Sequence, residues 1–161
     1  MEQAIFAAGC FWGVQYYFDQ IPGVTGTTAG YTGGTLEDPS YEDVCTQKTG
    51  HAEAVLVEFN AHEVSFEELC RHFFRLHDPT QLNRQDPDVG VQYRSAIFFV
   101  SDKQRETAEK VRDELQMKLE QPIVTIIEKA GPFYQAEDYH QKYAERTGRG
   151  MCHVLYEPLK R

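Results

Sequence analysis

The chain has 161 residues, of which 41% are hydrophobic and 25% charged, with a formal net charge of −9. That is the balance of a soluble chain with material for one sizeable core, and an acidic surplus with no basic cluster excludes a nucleic-acid or anionic-membrane surface. No apolar run reaches the roughly 20 residues of a membrane span.

Ala4-Ile5-Phe6-Ala7-Ala8 reads as a short buried strand that ends at Gly9. From Phe11 the apolar spacing becomes Phe11, Val14, Tyr17 or Phe18 and Ile21, one face of a helix. Cys10 therefore falls at a helix N-terminus, where unpaired N–H groups and the dipole favour an anion. Helix N-termini lower a thiol pKa from roughly 8.5 towards 7 or below. The sulfur is thus a candidate thiolate with Phe11 and Trp12 behind it, although a buried structural cysteine would suit the same spacing. Glu2 and the short apolar run speak against a lipoprotein signal before Cys10, so the expected compartment is the reducing cytoplasm, where cysteines are more often catalytic or redox-active than disulfide-bonded.

Pro22-Gly23 marks a turn. Val24 to Gly34, rich in Thr and Gly, predicts a strand running into a tight loop that something must approach closely. Asp38-Pro39-Ser40-Tyr41 predicts a further turn presenting a phenol. His51 to Phe59 predicts a strand on which Glu53 shares a face with Val55, Val57 and Phe59. A carboxylate opening an apolar strand is a candidate desolvated acid with a raised pKa; an exposed Glu at a strand end fits the pattern as well.

Ser65-Phe66-Glu67-Glu68 is a capping box that opens a helix with Phe66, Leu69, Cys70, Phe73 and His77 on its packing face. His62 and His72 are expected at the surface. His77 to Tyr93 is a long polar connection of the kind that usually carries function, with Asp86, Asp88 and Tyr93 as its candidates. Arg94 to Val100 predicts a strand, and Ser101 to Gln104 caps a charged covering helix with Ala108, Val111, Leu115 and Leu119 inward. Pro122 to Lys129 predicts another strand, and Ala136 to Arg146 a short helical pattern carrying Tyr139, His140 and Tyr143. About five strands and three or four helices make an α+β fold, a two-layer α/β sandwich of a mixed sheet with packed helices. We expect a ferredoxin-like-type core in one domain, 1–161, with an irregular, mobile C-terminal segment from 145.

The four cysteines, Cys10, Cys45, Cys70 and Cys152, are widely spaced with no Cys-x-x-Cys pair, which argues against a zinc ribbon or a thioredoxin-type dithiol. Cys152 lies behind Gly148 and Gly150 near the terminus. Two distant thiols, one on a mobile segment, suit thiol–disulfide chemistry in which the first is oxidised and the second attacks it. A Cys–His acyl-transferring or hydrolytic enzyme using Cys10 and one of the six histidines, and a redox-sensitive binding module that reads exposed methionine without turnover, are the alternatives.

The chain resembles the A-type peptide methionine sulfoxide reductases. Gly9-Cys10-Phe11-Trp12-Gly13, Gly30-Tyr31-Thr32-Gly33-Gly34, Tyr41, Gly50-His51-Ala52-Glu53 and Gln92-Tyr93-Arg94-Ser95 match family motifs in the same order. The resemblance implies reduction of the S epimer of methionine sulfoxide, free or in proteins, as repair of oxidative damage. Cys10 would attack sulfur and become a sulfenic acid. Phe11 and Trp12 would hold the substrate methyl, while Glu53, Tyr41 and Tyr93 would hydrogen-bond the sulfoxide oxygen with Asp88 in support. Cys152 would then form a Cys10–Cys152 disulfide, reduced by thioredoxin. The resemblance implies no metal or other cofactor, and a monomer. Some relatives carry a further recycling cysteine in a longer tail; 153–161 holds none, and Cys45, which matches a cysteine of some relatives, is expected to be structural.

Overall fold

A computed structural model describes residues 2–149, and the expected role of Cys152 lies outside them. The chain begins with β1 (Glu2–Ala8), α1 (Phe11–Asp19), β2 (Val24–Thr32), the short α2 (Tyr41–Cys45), β3 (Ala52–Phe59) and α3 (Phe66–Leu76). After these come a small ribbon of β4 (Arg84–Gln85) and β5 (Asp88–Val89), a 3-10 turn at Val91–Tyr93, β6 (Ser95–Phe99) and α4 (Asp102–Gln116). β7 (Ile126–Lys129), β8 (Phe133–Gln135), a 3-10 turn at Asp138–His140 and α5 (Tyr143–Thr147) complete the described chain.

The main sheet has the order β7-β6-β1-β3-β2-β8. Its inner four strands with α1 and α3 form a β-α-β-β-α-β unit in which β3 is inserted, antiparallel, between β1 and β2. This split arrangement is the ferredoxin-like core expected from the sequence. β7 extends it as a parallel strand on β6, and β8 as an antiparallel strand on β2, so the sheet is mixed.

The two-residue period of the strands sorts their side chains. Ala4, Phe6, Ala8, Val55, Val57 and Phe59 face the buried layer of α1 and α3, joined by Ala108 and Val111 of α4. Ile5, Ala7, Ala52, Ala54, Ala96 and Phe98 form a smaller cluster on the other face. Phe6 stacks on Phe18 with centroids 5.0 Å apart and on Phe73 at 5.4 Å. Burial of one such ring stabilises by about 1.5–3 kcal/mol, so this triplet fixes both helices over the strand that leads to Cys10.

Several expectations change in detail. Tyr41 does not end a turn; it opens α2, because Ser40 and Asp43 form a reciprocal capping box. The predicted strand from Pro122 pairs only from Ile126, since the N–H groups of Ile123 and Val124 are taken by Gln116 Oε1 and the Pro79 carbonyl. The loop from His77 contains the β4–β5 ribbon. His72 is buried, not at the surface, with Nδ1 3.0 Å from the Tyr17 hydroxyl.

Candidate active site

Gly9 has φ +93°, a conformation open to glycine, and it turns the chain from β1 into α1. Cys10 is the N-cap residue of α1 and is half-buried. Phe11, the first helical residue, donates its backbone N–H to Glu53 Oε1 at 3.3 Å. The β1–β3 register, with Phe6 opposite Val55, carries the end of β1 alongside Glu53. An ordinary antiparallel ladder thus sets the carboxyl group beside the thiol-bearing turn.

Glu53 is 1% exposed, in the central strand of the sheet. Its pKa is raised to about 8, first by burial, with the Asp88 charge adding to the rise and the Phe11 N–H opposing it. At neutral pH the group is mostly protonated and can donate. Its second oxygen, Oε2, is buried without a hydrogen-bond partner among the described residues. A buried polar atom left unpaired costs about 1–3 kcal/mol.

Two phenols sit beside this carboxyl group. Both phenols are pushed well above their ordinary range, first by burial and also by the nearby Glu53 charge. Tyr93 feels Asp88 and Cys10 too. Asp88, in β5, is half-buried. All of Cys10, Phe11, Trp12, Tyr41, Glu53, Asp88 and Tyr93 therefore gather at one end of the sheet, contributed by α1, α2, β3, β5 and the turn before β6.

The aromatic wall is built from both sides. Trp12 stacks on Tyr143 with centroids 3.9 Å apart and donates Nε1–H to His140 Nδ1 at 2.9 Å. That bond requires an unprotonated Nδ1, so His140 is the neutral tautomer with hydrogen on Nε2. Burial lowers its pKa in the same direction, against the pull of Glu137. Nε2 is buried and unpartnered among the described residues. The His140 ring lies 5.1 Å from Phe11 and 4.7 Å from Tyr41, joining the wall to the polar side.

His140, Tyr143, Tyr31 and Glu137 carry no site role in the sequence reading. Tyr31 pairs with Glu53 across the β2–β3 ladder and touches Phe11 at 5.6 Å. The signal for His140 and Tyr143 is the aromatic density of Tyr139-His140 and Tyr143 on the short helical pattern. The close approach predicted for the Gly-rich segment holds: a Cβ at Gly30 would strike the Phe133 ring and the Tyr134 carbonyl, and one at Gly34 the Thr49 carbonyl. Cys70 is fully buried in the core. Cys45 is exposed at the end of α2. Among the described residues, no cluster of three His, Cys, Asp or Glu side chains is arranged to hold a metal ion, and no helix is long and apolar enough to cross a membrane.

A sulfur at a helix cap, a protonated buried acid, two phenols and an apolar wall on an α+β sheet define a cysteine-based oxidoreductase. The chain belongs to the peptide methionine sulfoxide reductase family, whose model matches residues 2–161. It is 51% identical to the peptide methionine sulfoxide reductase MsrA of Acidobacterium capsulatum over 156 residues, which is 96% of this chain and 100% of the relative. Its fold matches reduced Mxr1 of Saccharomyces cerevisiae with TM-score 0.90 at 35% identity, covering 97% of this chain and 92% of that one. Mxr1 in complex with Trx2 matches with TM-score 0.67 at 28% identity, over 98% and 90% of the two chains. The activity is that of the family, reduction of methionine sulfoxide to methionine.

Proposed function

We propose that this reduction is carried out by Cys10 on the S epimer, in proteins or free, with Glu53 as the proton donor. The carrying observation is a buried carboxyl group with pKa about 8 and one unpaired oxygen, tied through Phe11 N–H to the residue after Cys10. The Cys10 thiolate attacks the sulfoxide sulfur, its negative charge favoured by the N-terminus of α1. The S–O bond breaks as a proton from Glu53 goes to the oxygen, the oxygen then bonds to the Cys10 sulfur, and the Cys10–methionine sulfur bond breaks, so the products are methionine and a sulfenic acid on Cys10. Tyr41 and Tyr93 stabilise the charge that gathers on that oxygen. Phe11 and Trp12 hold the terminal methyl, and burial keeps Glu53 protonated, with the Asp88 charge adding to the rise.

The whole chain, 1–161, acts as one domain, and its C-terminal segment brings Cys152 to Cys10. The Cys152 thiol displaces the sulfenic oxygen as water and leaves a Cys10–Cys152 disulfide. Thioredoxin reduces that disulfide by exchange and is itself oxidised, a reading supported by the complex of the yeast relative with Trx2. The enzyme works as a cytoplasmic monomer with no cofactor.

One measurement tests the sequence of steps: mass spectrometry after addition of one equivalent of a methyl sulfoxide without reductant. The expected product is the polypeptide less two hydrogens, with Cys10 and Cys152 both blocked to alkylation. Replacing Cys152 by Ser should then yield one equivalent of methionine and stall. Sustained turnover of that variant with thioredoxin would remove Cys152 from the cycle and transfer its place to Cys45.

A further inference from the structure

Glu137 lies just outside the site and is the N-cap residue of the 3-10 turn that carries His140. Its carboxylate takes three donors. Oε1 accepts the Tyr31 hydroxyl at 2.9 Å, and Oε2 accepts the backbone N–H of Tyr41 at 2.9 Å and, more weakly, the Tyr139 hydroxyl at 3.4 Å. Its backbone carbonyl accepts His140 N–H at 2.9 Å. These partners come from three separate stretches of chain: a central strand, the first residue of α2, and the turn behind the Trp12 wall.

The bond to Tyr41 N–H matters most. Tyr41 is the first residue of a helix of only five residues, and the Ser40–Asp43 box satisfies other groups of that first turn. Beyond the packing of Val44 into the core, α2 has few bonds of its own to orient its first residue. The link from Glu137 to Tyr31, itself rooted opposite Glu53 in the ladder, ties that first residue to the sheet. Partial burial would favour the neutral acid, but the Tyr41 and Tyr31 bonds outweigh it and hold the carboxyl below the usual carboxylate range. It is therefore an acceptor of fixed charge throughout the neutral range.

We propose that Glu137 is a positioning residue for the reaction, which holds the Tyr41 hydroxyl in register with Glu53 and Tyr93 by bridging the start of α2 to Tyr31. The proposal rests on the reading of Tyr41 as a donor to the sulfoxide oxygen. It requires length and acceptor geometry at position 137, not merely negative charge. Glutamine keeps the length and one acceptor oxygen for Tyr41 N–H, and its NH2 can donate to the Tyr31 oxygen. Aspartate keeps the charge but is one methylene short of bridging both.

The test is the single-turnover rate of methionine formation without reductant, measured with the dissociation constant for a methyl sulfoxide. Glu137→Ala should slow the rate about tenfold, the size of one weakened hydrogen bond to a developing charge, with the dissociation constant within about twofold of the parent. Glu137→Asp should lose several-fold, and Glu137→Gln should recover to within about threefold of the parent. The same substitutions made in Tyr41→Phe should add less than about twofold, because the hydroxyl they position is gone. If Glu137→Ala does not fold, Glu137→Asp carries the comparison. A parent-like rate for Tyr41→Phe alone would defeat the Tyr41 reading. A slow Tyr41→Phe on which the Glu137 substitutions multiply in full would defeat the positioning role alone, as would an Asp variant equal to the parent beside a Gln variant as slow as Ala.

Discussion

Glu53 and Asp88 show how one charge sets another residue's proton at a distance. Burial does most of the work in raising Glu53, and the Asp88 carboxylate adds to it. Asp88→Asn removes a negative neighbour, so the Glu53 carboxylate becomes easier to form and its pKa falls. The alkaline limb of the single-turnover rate, near pH 8 in the parent if Glu53 must donate, should move to lower pH in this variant. A pH profile from 6 to 9.5 checks the sign; a limb that stays in place, or moves up, would detach Asp88 from the acid. Trp12 offers a second residue-scale outcome. Its ring is stacked on Tyr143 and tethered to His140, so Trp12→Ala removes a wall and leaves the acid untouched. Substrate affinity should fall by about 1–3 kcal/mol, roughly 10- to 200-fold, by equilibrium binding, while the pH dependence stays that of the parent. Glu53 could be picked out from the sequence because a charge interrupts an apolar alternation on one face of a strand. The depth of its burial could not, since that depends on which strands flank it.

Among the elements, the segment from Ala136 to Thr147 is the least legible in the sequence and the one the site most depends on. Its sequence predicts a short helical pattern over Ala136 to Arg146. It is instead a 3-10 turn and a short α5, separated by Lys142 at φ +57°. A left-handed lysine costs about 1–2 kcal/mol, and no local residue advertises it. Tertiary contacts offset that cost: Lys142 Nζ lies 2.6 Å from Asp19 Oδ2 and 2.8 Å from Thr27 Oγ1, and its N–H donates to Gln15 at 2.9 Å. All three partners are distant in sequence, so periodicity carries no trace of them. β8 escaped for a related reason. Three residues are too few for a period, and the strand is held at the edge because Gly30 leaves room for Phe133. By contrast α1, α3 and β3 were legible because their burial pattern repeats over several turns or pairs.

Gln141 is the bolt of that segment. Its Oε1 accepts the N–H of buried Ala29 at 2.9 Å, and its Nε2 donates to the carbonyls of Ala29 and Ala136 at 2.9 and 3.0 Å. Gln141→Ala leaves the Ala29 N–H without its partner, at about 1–3 kcal/mol. It should also loosen the adjacent His140, and with it Trp12. The expected outcome is a lower urea midpoint with unchanged m-value, together with weaker sulfoxide binding. Loss of stability with parental binding would confine Gln141 to the scaffold.

At the scale of the whole molecule, the acid that the reaction needs works against the fold. Between its ordinary value of 4.5 and its folded value of about 8, Glu53 holds a proton in the native state that the unfolded chain releases. The native state then binds more protons than the unfolded one, so stability falls as pH rises through this window. At about 1.4 kcal/mol per unit the loss is on the order of a few kcal/mol, a large share of the roughly 5–15 kcal/mol that holds a domain together. His72 and His140 act with the opposite sign. Burial lowers both below 6.5, so the unfolded chain takes up protons first and stability falls as pH drops through that range. The two effects oppose each other below pH 6.5; above it Glu53 acts first, and near pH 9 the Cys70 thiol, which burial pushes up from 9.0, begins to add to the loss ahead of the phenols. Glu53→Gln keeps the acceptor for Phe11 N–H and removes the titration. In urea unfolding the variant should match the parent near pH 5 and exceed it by a few kcal/mol at pH 9. A parent that holds its stability from pH 6.5 to 9 would mean that the carboxyl group ionises at no cost, and an acid that ionises freely could not serve as the donor.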